Sequence, residues 1–218
     1  MAGASASESA RTPRGQATEA ALIRAARTIF ERDGFLDARI TDITALAGAA
    51  TGSFYRYFSS KEEIFTAVID QLNDQGLHLP TMDFLPDDLD DLVRSVAQHH
   101  RQYLDNYARN AKLMSVMEQV TNISDDFRRH RTQQAQVYVQ ANAGAIRKLQ
   151  AAGHADPKLD PVMTARTLST AVSRSAYIAF VLEEETADDL DLLVETLTRV
   201  WINALGLSVP DSAYDALS

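Results

Sequence analysis

Apolar residues from position 40 onward follow the spacing of a short amphipathic helix. Ile40, Ile43 and Leu46 or Ala47 recur at three- and four-residue steps, which places them on one face of a helix. Gly48 stands where this helix should end, because glycine reaches the left-handed backbone conformation at little steric cost. The pattern predicts a short helix that is closed by a tight turn.

A second short helix is predicted directly after that turn. Phe54 and Phe58 lie four residues apart and would share its inner face, and Thr51–Ser53 could cap its start. Two short helices joined by a glycine-containing turn form a helix-turn-helix, whose second helix fits the major groove of DNA. The outward positions carry hydroxyls and one guanidinium, which suit phosphates and base edges: Thr51, Ser53, Tyr55, Arg56 and Tyr57. A helical hairpin in an ordinary bundle, with half-buried tyrosines, remains the alternative.

The remaining chain repeats the helical spacing. An amphipathic helix over about 15–32 would end at Gly34. Together with the two short helices it would form a compact three-helix DNA-binding unit, the head, with Phe35 in its core. Further helices are predicted over 61–75, 87–108, 110–121, 125–152, 161–182 and 187–205. No alternating strand pattern and no repeat period occurs. The sequence therefore predicts an all-α fold of about nine helices.

The first thirteen residues, MAGASASESARTP, are small, polar and aperiodic. We expect them to form a disordered tail. Arg11 and Arg14 at its end could reach a minor groove as a flexible arm, or the tail could be idle and solvated.

Composition narrows the class of protein. The chain has 218 residues, 45% hydrophobic and 23% charged, as in ordinary globular proteins. It has no cysteine, which excludes disulfides, thiolate metal sites and a cysteine nucleophile. No apolar run is long enough to span a membrane, and the N-terminus lacks a signal-peptide core. We expect a soluble, cytoplasmic protein without a membrane partner.

The charge is distributed unevenly along the chain. The net charge is −9, yet residues 11–61 carry eight Lys or Arg and five Asp or Glu, whereas the other residues carry 13 and 25. A basic module on an acidic body would orient the molecule on a polyanion. Acidic helix faces are common, so this observation only supports the motif.

Residues from about 17 to 65 resemble the DNA-binding domain of TetR-type transcriptional regulators. The resemblance rests on three groups of residues: Phe30, Gly34 and Phe35; Ile43, Ala47, Gly48 and Gly52; Phe54, Tyr55, Tyr57, Phe58, Lys61 and Ile64. Two positions depart from the family pattern. Ala50 replaces a Ser or Thr that caps the second helix and binds phosphate, a role that Thr51 could assume, and Ala49 replaces a Val in the turn.

The resemblance implies a set of DNA contacts. Phosphates would be bound by Arg39, Thr51, Tyr55, Tyr57 and Lys61. Base edges would be read by Ser53, Arg56 and Phe54, the last only if its ring reaches a thymine methyl group.

The resemblance also assigns a function to each part of the chain. Residues 1–13 would form the tail, 14–60 the helix-turn-helix domain, and 61–218 an effector-binding and dimerisation domain. The last two long helices bear small and apolar stripes suited to a homodimer interface. The protein would then bind a near-palindromic operator as a dimeric repressor that a small effector releases.

Residues for an effector pocket are less specific in the sequence. Aromatic, methionine and amide side chains on the middle helices suit a hydrophobic or amphipathic organic molecule: Tyr103, Tyr107, Met114, Met117, Tyr138, Asn142, Arg174, Tyr177 and Phe180. Such stripes are more often ordinary core.

Other kinds of site are disfavoured. His99 and His100 are adjacent and would diverge on a helix, so they cannot share a metal ion. Asp126 and His130 are four residues apart, but a surface pair is the simpler reading. Neither a glycine-rich phosphate loop nor a Gly-x-Ser-x-Gly elbow occurs, so we predict no enzyme, cofactor or metal. The alternative function is a helical small-molecule binding protein that no longer binds DNA.

Overall fold

The structure is a computed structural model that describes residues 12–76, 89–182 and 190–217. Within these ranges the chain forms nine α-helices and no strand, as the all-α prediction requires. The helices are α1 (Pro13–Asp37), α2 (Ile40–Leu46), α3 (Thr51–Phe54), α4 (Lys61–Asp74), α5 (Leu89–Arg109), α6 (Ala111–Ile123), α7 (Asp125–Ala151), α8 (Pro161–Val181) and α9 (Leu190–Ala204). A 3₁₀ helix, Asp211–Leu217, follows α9. The predicted helix starts at 87 and 187 lie outside the described residues.

Helix α1 begins earlier than the sequence predicted. The Thr12 hydroxyl accepts a hydrogen bond from the Gly15 backbone N–H at 3.1 Å, and Pro13 occupies the first helical position. Arg14 is therefore an exposed residue of the first turn of α1 rather than part of a tail. Residues 1–11, including Arg11, lie outside the described part of the chain.

The predicted end of α1 at Gly34 is a kink instead. Gly34 has φ 74° and ψ −177°, a conformation that side chains with a Cβ atom rarely adopt. The chain then continues as far as Asp37 with Phe35 buried at 2% exposure. The kink directs Phe35 into the core, and Phe30 and Phe35 stack at 5.7 Å between ring centroids.

The helices divide into two compact units. The first joins the chain up to Gln75 with Lys112–Arg129. In this unit α1 packs against α2 and α4, and Phe65 of α4 meets the Phe30 ring edge-on at 5.1 Å. Phe65 also lies 5.2 Å from Phe127. This aromatic core holds the helix-turn-helix on a rigid base.

The second unit comprises Gly76–Ala111 and His130–Ser218. Helix α5 is its central element and packs against α8, α9 and the 3₁₀ helix. Helix α8 begins with Asp160 as its capping residue, whose carboxylate accepts from the Met163 backbone N–H at 2.8 Å, followed by Pro161. Trp201, the largest side chain of this core, is 2% exposed.

Candidate functional site

The turn between α2 and α3 has the geometry that the glycine predicted. Gly48 has φ 65°, and its N–H donates to Ala45 O at 3.2 Å. The Ala49 N–H reaches Thr44 O at 2.9 Å, which closes the end of α2. The two short helices therefore form the predicted helix-turn-helix.

The start of α3 lacks a capping side chain. Ala50 is the N-cap residue and Thr51 is the first helical residue, so Thr51 does not take over the cap as the sequence suggested. The Thr51 hydroxyl lies 3.3 Å from the Thr44 hydroxyl instead. Since Thr44 donates its own proton to Thr41 O at 3.0 Å, Thr51 is the donor of this pair.

Most of the predicted DNA-contacting side chains lie at the surface. Arg39, Thr51 and Arg56 are exposed, Tyr55 is 58% exposed, and Ser53 and Tyr57 are half-buried. The last turn after Phe54 tightens, because the Arg56 and Tyr57 N–H groups bond carbonyls three residues back. This turn keeps the polar side chains on one short, outward segment.

Phe54 does not belong to this surface. Its side chain is 0% exposed, and its ring lies 5.7 Å from Phe58 and 5.4 Å from Tyr55. A buried ring cannot reach a thymine methyl group, so the structure removes Phe54 from the candidate base contacts. The three- and four-residue spacing that put it on the inner face was the correct indication.

Lys61 makes contacts within the protein that the sequence did not predict. Its ammonium donates to Leu36 O at 3.1 Å and to Ala38 O at 3.0 Å, and it lies 4.7 Å from the centroid of the Phe35 ring. The backbone carbonyls after the kink in α1 thus accept from the Lys61 ammonium at the start of α4. These contacts tie α1 to α4, and we propose that this is the main role of Lys61 in place of the predicted phosphate contact.

A lysine with this role should affect stability more than DNA electrostatics. We expect Lys61→Met, which keeps the aliphatic stem, to lower the free energy of unfolding by about 1–2 kcal/mol. The dependence of DNA affinity on salt should stay unchanged, whereas loss of a phosphate contact would reduce the logarithmic slope by about 0.9. Lys112→Met, at an exposed position of α6, is the matched control. A reduced slope in Lys61→Met alone would restore the phosphate assignment.

The predicted effector residues fall into separate groups. Tyr103 and Tyr107 of α5 are buried with ring centroids 5.8 Å apart, and Phe180 of α8 lies 6.4 Å from Tyr107. Arg174 is exposed and lies over the Tyr177 ring at 4.8 Å. Asn142 is fully buried and Tyr138 is half-buried, both on α7. Met114 and Met117 belong to the first unit rather than the second.

His100 lies in the core, a position that its sequence context, considered only for a metal ligand, did not predict. The imidazole is 0% exposed, its Nδ1 lies 3.1 Å from the Thr198 hydroxyl of α9, and its ring meets Trp201 edge-on at 5.6 Å. Burial lowers the pKa of His100 to about 3, with the neighbouring His99 adding to the effect. The available signal was spacing, because positions 100, 103 and 107 share one face of a helix.

The described part of the chain contains neither a metal-binding cluster nor a membrane-spanning helix. Across the described ranges, no group of three or more His, Cys, Asp or Glu side chains is arranged to hold a metal ion. In the same ranges, every helix is too short or too polar to cross a bilayer.

Helices α8 and α9 expose apolar side chains to solvent. Met163 of α8 is 56% exposed, and Leu192 and Val200 of α9 are 54% and 46% exposed. Leu192 and Val200 lie eight residues apart, about 80° around the axis of α9. The sequence predicted dimer contacts on these two helices, but of the apolar stripe it identified on α9, Val194, Leu197 and Trp201 are buried within the subunit, and Val200 is exposed.

Comparison with protein families gives two matches that together span most of the chain. Residues 22–68 match the model of bacterial regulatory proteins of the tetR family. Residues 96–206, about half of the chain, match the C-terminal domain of the transcriptional regulator EthR.

Individual relatives cover nearly the whole length. The HTH-type transcriptional regulator EthR of Mycolicibacterium smegmatis is 23% identical over 211 residues, which are 92% of this chain and 95% of the relative. TtgR of Pseudomonas putida is 27% identical over 206 residues, covering 88% and 93%. Among solved structures, SmeT, the repressor of the Stenotrophomonas maltophilia multidrug efflux pump SmeDEF, has a TM-score of 0.67 at 19% identity and covers 89% of this chain and 95% of its own. The structural likeness shows a shared fold.

Proposed function

The chain belongs to the TetR family of bacterial transcriptional regulators, and from that premise we propose that it is a dimeric repressor released by a small effector. Its operator would be a near-palindromic DNA duplex. The helix-turn-helix, in residues 14–60, would bind that DNA, and residues 61–218 would bind the effector and the second subunit.

The observation that carries the DNA-binding proposal is the polar surface of α2 and α3. Exposed or half-buried hydroxyls and guanidinium groups cluster there, while both phenylalanines of the segment are buried. Arg39, Tyr55 and Tyr57 are suited to phosphate oxygens, and Thr51 would have to turn its hydroxyl away from Thr44 to donate to one. Ser53 and Arg56 are suited to base edges, where an Arg can bind guanine O6 and N7 together.

Exposed apolar side chains on α8 and on α9 support the dimer proposal. Met163, Leu192 and Val200 would leave water when a second copy packs against them, and the burial of such residues drives association. Two heads would then enter successive major grooves about 34–36 Å apart. Analytical ultracentrifugation should give the mass of two chains, and a monomer at the concentrations of the DNA assay would exclude this arrangement.

The buried tyrosines of α5 and the half-buried Phe180 of α8 support an apolar or amphipathic effector. Tyr103, Tyr107 and Phe180 form a contiguous aromatic group within the second unit. SmeT, which shares the fold, is described as the repressor of a multidrug efflux pump. An effector that binds better to a conformation with the wrong head spacing would lower operator affinity by its differential affinity for the two conformations.

Arg56 provides the sharpest test of base recognition. We expect Arg56→Ala to weaken binding to the DNA flanking the protein's own coding region by about 10- to 100-fold, since one base contact contributes roughly 1–3 kcal/mol. Binding to unrelated duplex should fall much less. Fluorescence anisotropy with both duplexes measures the two affinities.

Arg147→Ala is the control for Arg56→Ala, because it removes the same charge from an exposed position of α7 in the second unit. Equal losses in the two variants would mean that Arg56 contributes only general charge. Absence of wild-type binding to the flanking DNA would favour the alternative, a small-molecule binding protein without an operator. The missing capping hydroxyl at Ala50 is the feature that favours this alternative.

A further inference from the structure

The hydrogen bonds of Thr198 fix the protonation of the buried His100 ring. The Thr198 hydroxyl donates its single proton to Val194 O at 2.7 Å. Its oxygen can therefore only accept from His100 Nδ1, 3.1 Å away. The proton of the neutral imidazole lies on Nδ1, and Nε2 presents a bare lone pair to the core.

Four buried side-chain polar atoms of the described residues lack a protein hydrogen-bond partner, and all lie in the second unit: His100 Nε2, Ser169 Oγ, Trp201 Nε1 and Tyr214 Oη. Two of them belong to rings that lie against each other. His100 Nε2 and Trp201 Nε1 are both buried, and neither has a protein partner among the described residues. Nε2 accepts, and the indole N–H donates. Buried polar atoms are nearly always hydrogen-bonded, so a donor and an acceptor left in adjacent rings indicate a group that the protein does not itself supply.

The neighbourhood of the two atoms is apolar and aromatic. On α5, Tyr103 and Tyr107 follow His100 at three and seven residues and lie on the same face, and Phe180 of α8 contacts Tyr107. At 1.5 Å per residue, this face extends about 10 Å from His100 to Tyr107. None of the fully buried polar side chains of the described residues belongs to Lys, Arg, Asp or Glu, so a charged ligand would find no fully buried counter-ion here.

We propose that the effector is an uncharged molecule with a hydroxyl group at one end of an aromatic or apolar body, and that this hydroxyl donates to His100 Nε2 and accepts from Trp201 Nε1–H. The inference rests on the proposed effector function and specifies the chemistry of that site. A hydroxyl is the simple group that satisfies both atoms at once. The apolar body then lies along Tyr103, Tyr107 and Phe180.

The chain's one tryptophan makes the site directly observable. In ¹H–¹⁵N spectra of the full-length protein, a single indole N–H signal reports Trp201. We expect 4-hydroxybiphenyl, whose length matches the aromatic face, to shift this signal saturably, and phenol to shift it with lower affinity. 4-Methoxybiphenyl, which cannot donate, should bind about tenfold more weakly than 4-hydroxybiphenyl.

Two variants and the ligand-free protein test whether His100 Nε2 accepts from the ligand hydroxyl. His100→Phe should bind both biphenyls with equal affinity, and His99→Gln, at the neighbouring position, should retain the preference for the hydroxyl. In the free wild-type protein, two-bond ¹H–¹⁵N spectra should show His100 protonated at Nδ1, a result that does not depend on any variant folding. Protonation at Nε2 would overturn the proposal, since that atom would then be a donor.

Two more outcomes would overturn the proposal. Equal binding of the hydroxyl and methoxy probes by the wild type would remove the role of the lone pair. An indole signal that stays constant with both phenol and 4-hydroxybiphenyl would indicate that a buried water occupies the position. Operator binding by the ligand-free protein, measured separately, distinguishes these failures from a failure of the proposed regulatory function.

Discussion

Phe54→Ala should destabilise the protein strongly, whereas a change at the adjacent Tyr55 should act on DNA binding alone. Phe54 is 0% exposed and contacts Phe58, so truncation leaves a cavity in the head and should cost about 3–5 kcal/mol of unfolding free energy. Tyr55→Phe keeps the ring against Phe54 and removes an exposed hydroxyl, so stability should change by less than about 0.5 kcal/mol.

Denaturant unfolding and operator affinity together separate the two roles. We expect Tyr55→Phe to weaken binding to all DNA sequences, because its hydroxyl is assigned to a phosphate, without changing the salt dependence. Phe54→Leu, which keeps most of the apolar volume, should recover most of the stability lost in Phe54→Ala and retain operator affinity. If Phe54→Leu folded well yet lost sequence preference, Phe54 would be a base contact after all.

The fold was largely predictable because its signals are local. Three- and four-residue spacing located the helices, and glycines such as Gly48 and Gly153, with φ of 65° and 77°, marked the ends of α2 and α7. The start of α1 was misplaced because a threonine followed by proline was assigned to the tail, although together they form a strong helix start.

The site was less predictable because its decisive contacts are distant in sequence. Lys61 contacts carbonyls 25 and 23 residues earlier, and these are available only after α1 kinks at Gly34 and packs on α4. His100 contacts Thr198, 98 residues away. Sequence spacing around Lys61 and His100 does not reveal these contacts. For Lys61, the family resemblance therefore suggested a phosphate role instead. For His100, only a metal role was considered, and once that was rejected the residue had no assignment.

The buried imidazole of His100 should make the second unit sensitive to acid. The pKa of His100 is about 3 in the folded protein and about 6.5 when the chain is unfolded. Below pH 6.5 the unfolded chain therefore binds a proton that the folded protein excludes, and stability falls as the pH decreases. The contribution is fully present above pH 6.5 and declines by about 1.4 kcal/mol per pH unit down to pH 3.

Between pH 7.5 and pH 5, this single group should lower the free energy of unfolding by about 2 kcal/mol. His100→Phe lacks the group and should lose about 2 kcal/mol less than the wild type over the same interval. Urea unfolding followed by the fluorescence of Trp201 measures the second unit directly, because that residue is the one tryptophan in the chain.

The control retains the buried imidazole and changes its neighbour. His99→Gln should show nearly the wild-type pH dependence, since burial is the larger cause of the lowered pKa and the charge of His99 the smaller. His130 and His154 are present in every variant, so their contributions cancel in the comparison. Identical acid sensitivity in the wild type and His100→Phe would mean that His100 titrates as an exposed residue, which contradicts its place against Trp201 and Thr198.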